Sequence, residues 1–302
     1  MTSEIEQKAD AALAVPRGRR IDSHMHLWTL GEGRYPWLTP DFGPLYATWT
    51  PEQAEPELAA AGMAGAILVQ AEDSEADTTF MLDIADRHSW VLGVVGWIDL
   101  TDPDAAAEQL DRWHGNSAFC GIRHLLNDDP RDLLGDDRVI ASLSEVARRG
   151  LAFDLHDSWP RFLPETAALA DRVPELSIII DHVGNAPRGQ GDYSEWMATI
   201  AKAAQRENVS AKLSSLRYPG QPFSVDAVRE VRDHALDCFG ADRLMYGGDW
   251  PMPVAEGGYP ATWGVMAQLI GELAEAEQNA ILRETACRIY GQSTRLSALR
   301  SR

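Results

Sequence analysis

The chain has 302 residues, 45% hydrophobic and 24% charged, with a formal net charge of −19 at pH 7. An acidic surface of this kind excludes nucleic acid and an anionic membrane face as partners, since both call for a basic surface. An anionic small substrate stays open, because a few buried arginines can set a pocket's local potential.

No apolar run reaches the ~20 residues a membrane span needs. The start is acidic and lacks the apolar segment of a signal peptide. Cys120, Cys238 and Cys287 are scattered and give neither a disulfide framework nor a structural zinc motif, so a reducing cytoplasm is the expected setting. Residues 1–18 read as a flexible tail with a frayed helix at 4–14. A first strand follows at 19–25. The loop 27–50 carries Trp28, Tyr35, Trp37, Phe42, Tyr46 and Trp49. So many aromatics imply a folded cap, over a pocket or simply packed on the body. From residue 51 helices and strands alternate. Helices are expected at 51–61, 74–88, 102–114, 136–149, 161–172, 193–207 and 224–239. Pro51 sits in a first turn, Ser74 is an N-cap, and Gly150 and Gly240 are stops. Strands are expected at 66–71, 91–99, 119–125, 151–156, 176–182, 209–214 and 243–248. Two helices, 261–275 and 277–291, close the chain and could offer an apolar face to a second copy in a homodimer. Eight nearly continuous apolar strands between amphipathic helices give an α/β chain with one (β/α)₈ barrel domain over 19–302. A doubly wound sheet is set aside because no Gly-rich phosphate loop follows the first strand.

In such a barrel the chemistry lies at the C-terminal ends of the strands. The polar residues expected there are His24 and His26, Gln70 and Glu72, Asp99, Arg123 and His124, Asp154 and His156, His182, Lys212 and Arg217, and Asp249. Packing alone would not gather so many ionisable groups, which are costly to bury unpaired. Strand alternation puts Asp22, His24 and His26 on one face, so two imidazoles could converge on one ion or substrate oxygen. Arg123 suits an oxygen pair, or else pairs with Asp99 or Asp154. His124 points the other way unless the strand has ended. Lys212 reads as an inner-wall ion-pair partner. Arg217 reads as a substrate contact or a solvated loop residue, and His156 as an extra ligand or a surface residue. His88, His114 and His234 fall on helices and are assigned no function.

Several segments carry a family resemblance: Ile21-Asp-Ser-His-Met-His-Leu-Trp28, Tyr35-Pro-Trp-Leu38, Val95-Gly-Trp-Ile-Asp-Leu100, Gly121-Ile-Arg-His124, Asp181-His-Val-Gly184, Lys212-Leu-Ser214 and Leu244-Met-Tyr-Gly-Gly-Asp-Trp-Pro251. In this order the chain resembles the amidohydrolase superfamily. Within it, the likeness is to the sugar-acid lactonase branch that includes fuconolactonase, rhamnonolactonase and pyrone-dicarboxylate lactonase. The resemblance implies that His24, His26, His182 and Asp249 are the ligands of one divalent metal, zinc first, or that none is required. It implies Asp249 as general base with His182 and Arg123 beside it in catalysis, and His124, Arg217, Trp28 and Trp250 as substrate contacts. The implied reaction is hydrolysis of a small lactone. The alternative on the same fold is a mononuclear-zinc decarboxylase or hydratase of a small carboxylic acid. No lysine ends the fourth or fifth strand, which speaks against two ions. The chain departs from the branch at Asn185, where a lysine is common, and at Gly248, where a serine is.

Overall fold

The computed structural model describes residues 13–31, 34–125, 132–156 and 159–300. Its eight strands are β1 (Arg20–Met25), β2 (Met63–Val69), β3 (Val91–Gly96), β4 (Phe119–His124), β5 (Ala152–Leu155), β6 (Ser177–Ile180), β7 (Val209–Leu213) and β8 (Leu244–Tyr246). They lie side by side in chain order and each neighbouring pair is parallel. The sheet curls onto itself where the chain leaves β8. Asp249 N donates to His24 O at 2.8 Å, and His26 N to Trp250 O at 2.7 Å. The result is the (β/α)₈ barrel that the alternation of elements called for.

Between the strands run α1 (Pro51–Ala61), α2 (Glu75–Arg87), α3 (Pro103–Trp113), α4 (Asp137–Arg148), α5 (Thr166–Arg172), α6 (Tyr193–Ala204), α7 (Val225–Phe239) and α8 (Gly258–Gly271). Ser74, Asp102, Asp136 and Ser224 each accept a first-turn backbone N–H and so start α2, α3, α4 and α7. The larger core lies between these helices and the sheet. A second one fills the barrel with Ile21, Ile67, Val69, Val95, Ile179 and Met245.

β1 does not keep the simple alternation the sequence suggested. Its register against β2 runs Asp22↔Ala66 and then Met25↔Leu68, so β1 holds one residue more than its partner. Such a bulge moves later side chains to the other face. Ile21 therefore points into the barrel, while Asp22 turns away from His24 toward the outer helix α8. There it accepts hydrogen bonds from Tyr259 OH (2.6 Å), Gly248 N (2.9 Å) and His24 N (2.9 Å). Burial pushes the Asp22 carboxyl up to about 6 against the pull of these donors. Gly248 has to lack a side chain, since a Cβ there would stand 2.3 Å from Tyr259 and 2.5 Å from Asp22.

The C-terminal segment closes the opposite end of the barrel. After α9 (Glu275–Asn279) comes a π-helical turn (Ala280–Glu284), then α10 (Thr285–Ile289) and α11 (Thr294–Arg300). Arg283 donates to Arg19 O, Thr285 to Asp242 O, Thr294 N to Ser117 O and Ser293 to Leu92 O. These acceptors lie at the N-terminal ends of β1, β8, β4 and β3. Trp263, Met266, Leu269, Ile281 and Leu282 are buried in this chain's own core, so the apolar face expected for a dimer is used within it. Part of the expected tail is fixed too: Arg17 donates to Ala59 O and Ala60 O of α1. Most of the helix expected at 4–14 lies outside the described residues, and residues 13 and 14 are not helical.

Asp22→Ala would leave three buried donors without their acceptor. It is expected to destabilise the protein by about 2–4 kcal/mol, read as a fall in thermal unfolding temperature. A Tm unchanged within about a degree would contradict this account of the β1–β8 closure.

Candidate active site

Four of the expected residues converge at the C-terminal mouth. His24 Nε2 and His26 Nε2 stand 3.1 Å apart, and Asp249 Oδ1 lies 3.6 Å from the first and 3.3 Å from the second. His182 stacks edge-on to His24 with ring centroids 4.8 Å apart, and its Nδ1 meets Ser214 Oγ at 2.8 Å. His26 is aimed by Nδ1, 2.7 Å from Val69 O, so that Nδ1 carries the proton and Nε2 keeps its lone pair. Burial holds His24 well below the ordinary histidine range and lowers His26 as well. Burial alone would raise Asp249, but His182, His26 and His24 around it win and keep its carboxyl below the usual carboxylate range. The centre therefore presents the neutral imidazoles of His24 and His26 and an ionised carboxylate at neutral pH. Ligand atoms on a tetrahedral zinc bonded at ~2.0–2.1 Å stand ~3.3 Å apart, close to the three separations here. Among the described residues, buried Asp249 Oδ1 also has no hydrogen-bond donor. The donor set thus fits a single divalent ion.

Beneath this cluster lies a charge array that the sequence only partly disclosed. Lys212 Nζ is 2.5 Å from Asp154 Oδ2, 3.0 Å from Asp181 Oδ1 and 3.0 Å from His24 Nδ1. All four residues are fully buried. Burial works against the Lys212 charge, but Asp154 and Asp181 more than restore it, and the ammonium titrates above the ordinary lysine range. Asp181 is held well below its ordinary range: burial opposes ionisation, and Lys212, His24 and Arg123 override it. Burial raises Asp154 to about 6 despite Lys212. Tyr290, from the segment closing the far end, donates to Asp154 at 2.8 Å. His24, Asp154 and Asp181 could by geometry hold a metal too, but the Lys212 ammonium stands among them. Lys212 is the inner-wall ion-pair partner expected of it. Arg123 is paired with neither Asp99 nor Asp154; its Nη1 meets Asp181 Oδ2 at 3.2 Å and its Nη2 donates to Gln70 O.

Backbone geometry explains how neighbours in sequence both reach the mouth. β6 ends at Ile180, and Asp181–Gly184 is a tight turn in which His182 and Val183 adopt φ of 57° and 49°. Ser215 and Asp249, just beyond β7 and β8, have φ of 45° and 53°. Such conformations cost of order 1–3 kcal/mol each in non-glycine residues and persist where surrounding contacts fix them.

A cavity of about 890 Å³ opens above the cluster, lined on its inner side by His26, Arg123, His182 and Asp249. Trp28, Trp37, Phe42 and Met252 form an apolar part of its wall, so the aromatic loop does cover the pocket. Of the expected substrate contacts, Trp28 and Arg217 line this cavity, whereas His124 and Trp250 do not. His124 follows Arg123 on a continuing strand and points away from it. Its Nδ1 receives the Trp97 indole N–H at 3.1 Å, and its Nε2 lies 3.4 Å from Asp73 Oδ2. Trp250 is buried edge-on against Trp49 at 5.2 Å. The cavity lining also includes Asp73, His156 and Asn185. Asp73 was not singled out from sequence because it sits in a loop; Asp181 was named only within the Asp181-His-Val-Gly184 segment, as the polar end of a strand with no role of its own.

A family model described as amidohydrolase matches residues 21–292. The chain belongs to the amidohydrolase family. An L-fucono-1,5-lactonase of Burkholderia ambifaria is 35% identical over 235 residues, 77% of this amidohydrolase and 80% of that protein. An L-fucono-1,5-lactonase of Burkholderia multivorans is 29% identical over 285 residues, 90% of this chain and 95% of that one. The crystal structure of a Burkholderia multivorans amidohydrolase with bound zinc superposes with a TM-score of 0.83 at 28% identity, covering 90% of this chain and 99% of that chain.

Lys212→Met would leave Asp154 and Asp181 facing each other in the interior. We expect a loss of about 3–5 kcal/mol, partly recovered on adding Asp154→Asn, as measured by thermal unfolding. An unaltered Tm in the single variant would show that the array does not hold the barrel mouth together.

Proposed function

We propose that this amidohydrolase opens the ring of a small lactone, a sugar-acid lactone first, by attack of water at the barrel mouth. The observation that carries the reading is Asp249: a buried, ionised carboxylate on the cavity wall whose Oδ1 has no hydrogen-bond donor among the described residues. Such an oxygen can accept a proton from water. Attack on the ester carbonyl forms a tetrahedral oxyanion, and the fixed charge of Arg123 at the cavity floor stabilises it. The ring C–O bond then breaks, and the proton held on Asp249 passes to the departing alkoxide, which leaves as the hydroxyl of the hydroxy acid. His24, His26, His182 and Asp249 would hold a divalent ion, zinc first, which when bound polarises a carbonyl and acidifies water. The zinc-bearing relative supports that assignment.

The cavity favours a neutral, hydroxylated substrate. Arg123 is paired with Asp181, and Arg217 with Glu256 at 2.8 Å, so neither guanidinium is uncommitted toward a substrate carboxylate. Asn185 brings no charge. Trp28 and Trp37 donate their indole N–H groups to Ala47 O and Ala71 O, which leaves their ring surfaces as apolar wall. Polar groups beside aromatic rings suit a ring with hydroxyls and a C–H face. These features, with lactonase relatives at 35% and 29% identity, favour ring opening over decarboxylation or hydration of an acid. Among the described residues no helix is long and apolar enough to cross a membrane. Among the described residues no disulfide joins Cys120, Cys238 and Cys287, which supports a reducing, cytoplasmic setting.

Asp249→Asn is expected to cut turnover on the order of 10³-fold, followed as proton release from a panel of sugar-acid lactones with the wild type alongside. Near-normal turnover would remove Asp249 from the role of base. The pH profile offers a second check. His24 and His26 must be neutral and Asp249 ionised, and all three are shifted down, so activity persists below the ordinary range and is lost only at lower pH. The profile of kcat/KM is expected to stay flat as pH falls through ~6.5, where an ordinary histidine titrates. An acid limb centred there would contradict the assignment.

A further inference from the structure

The cavity wall holds two carboxylates that the reaction just described does not use, Glu72 and Asp73. Glu72 braces its own surroundings, accepting Tyr35 N and Ser74 Oγ at 3.0 Å each. Asp73 follows β2, and its side chain is 27% exposed, onto the cavity it lines. Its Oδ1 is fully engaged, accepting Gln70 Nε2 at 3.0 Å and Leu125 N at 2.9 Å. Among the described residues its Oδ2 faces only His124 Nε2, at 3.4 Å. The His124 ring cannot turn freely: an indole N–H can only donate, so the Trp97 bond makes Nδ1 an acceptor and puts the ring proton on Nε2, toward Asp73. A chain from Trp97 through His124 thus fixes the carboxylate in one orientation, with lone-pair capacity left on Oδ2 for a group in the cavity. A carboxylate accepts up to about four hydrogen bonds, two at each oxygen.

We propose that Asp73 is the specificity-determining residue of this site: its Oδ2 accepts a hydrogen bond from a hydroxyl on the substrate ring and its charge turns away lactones that bear a carboxylate. The inference rests on the lactonase reading and deepens it. It names the substrate class as neutral, polyhydroxylated lactones, and makes Trp97 and His124 positioning residues. Two features agree with it. The cavity's two arginines are already ion-paired, so neither guanidinium is left to offset Asp73 for an anionic substrate. A site built to accept a substrate hydroxyl also discriminates strongly against the analogue that lacks it, because the buried acceptor is then left unpaired.

The test compares wild type, Asp73→Asn, Asp73→Ala and Trp97→Phe on three substrates: a six-membered aldonolactone, unsubstituted δ-valerolactone, and a lactone carrying a carboxylate. Asp73→Ala is expected to lose about 10–100-fold in kcat/KM on the aldonolactone, mostly through KM. On δ-valerolactone it should stay within about threefold, and on the carboxylate-bearing lactone it should improve. Asp73→Asn keeps one acceptor oxygen and should fall between. Trp97→Phe should raise KM for the aldonolactone alone, by less. Equal losses on the aldonolactone and δ-valerolactone would mean that Asp73 only braces its loop, and would overturn the proposal while leaving the lactonase reading intact. An undiminished rate on the aldonolactone would overturn it in the same way. If wild-type protein with a normal unfolding transition opens none of the three, the lactonase reading falls and this proposal with it.

Discussion

The ammonium of Lys212 is the point on which the rest of the site depends. A lysine with no exposed surface survives as a cation only where carboxylates surround it, and here Asp154 and Asp181 do so from β5 and from the turn after β6. Neither carboxylate would be tolerated there without it. The same ammonium touches His24 Nδ1, which sets the ring that joins this array to the reactive cluster above. Tyr290 extends the array downward by capping Asp154 from the segment that closes the far end. The barrel is thus tied through its axis, from the C-terminal segment to the mouth, by one run of hydrogen-bonded charges. A site fastened in this way can hold its imidazoles in place without help from the loops around it.

The second requirement is that β6 and β8 stop early. Residues Asp181 and His182 are adjacent, and on a continuing strand one would face the helices. The left-handed turn at His182 sends both inward, one toward Lys212 and the other toward Asp249 and the cavity. Asp249 gains its position likewise, with its backbone N–H tied to β1. Space for this closure comes from two glycines. At Gly247 a Cβ would stand 2.6 Å from that of His24, and at Gly248 it would strike Tyr259 and Asp22. A serine at the latter position would not fit between these neighbours. The strain at the mouth and the glycines behind it belong to one device, which brings residues from β1, β6 and β8 within bonding distance of each other.

This accounts for what could be read from the chain alone. Barrel order, strand positions and the meeting of His24, His26, His182 and Asp249 at one mouth were legible, because apolar runs, caps and polar strand ends are local signals. Asp22 misled because a bulge cannot be seen in an alternating pattern, and the bulge turns it to Tyr259, 237 residues away. Trp250 reads like a pocket aromatic beside Asp249, yet Trp49 holds it in the core. His124 was placed in doubt by strand alternation, and the doubt was justified, since β4 continues through it. The closing segment read as two plain helices because nothing local reveals that Tyr290 enters the barrel. Asp73 was invisible because its orientation is set largely by a distant stretch of chain, His124 and Leu125 at the end of β4, together with Gln70 at the end of its own strand.

Charge balance gives a reason for a single ion. The inner region holds Asp154, Asp181 and Asp249 against Lys212 and Arg123, with His24 and His26 held neutral by burial. Three carboxylates against two cations leave an excess of about one negative charge at neutral pH. That sign opposes the oxyanion formed when water adds to an ester. A divalent cation among His24, His26, His182 and Asp249 would reverse it. A second would find its place among His24, Asp154 and Asp181 already filled by the Lys212 ammonium. The chain carries its own second cation in covalent form. An ammonium neither exchanges with solvent nor carries a bound water, so any water activation falls to the Asp249 side of His24, where the cavity opens.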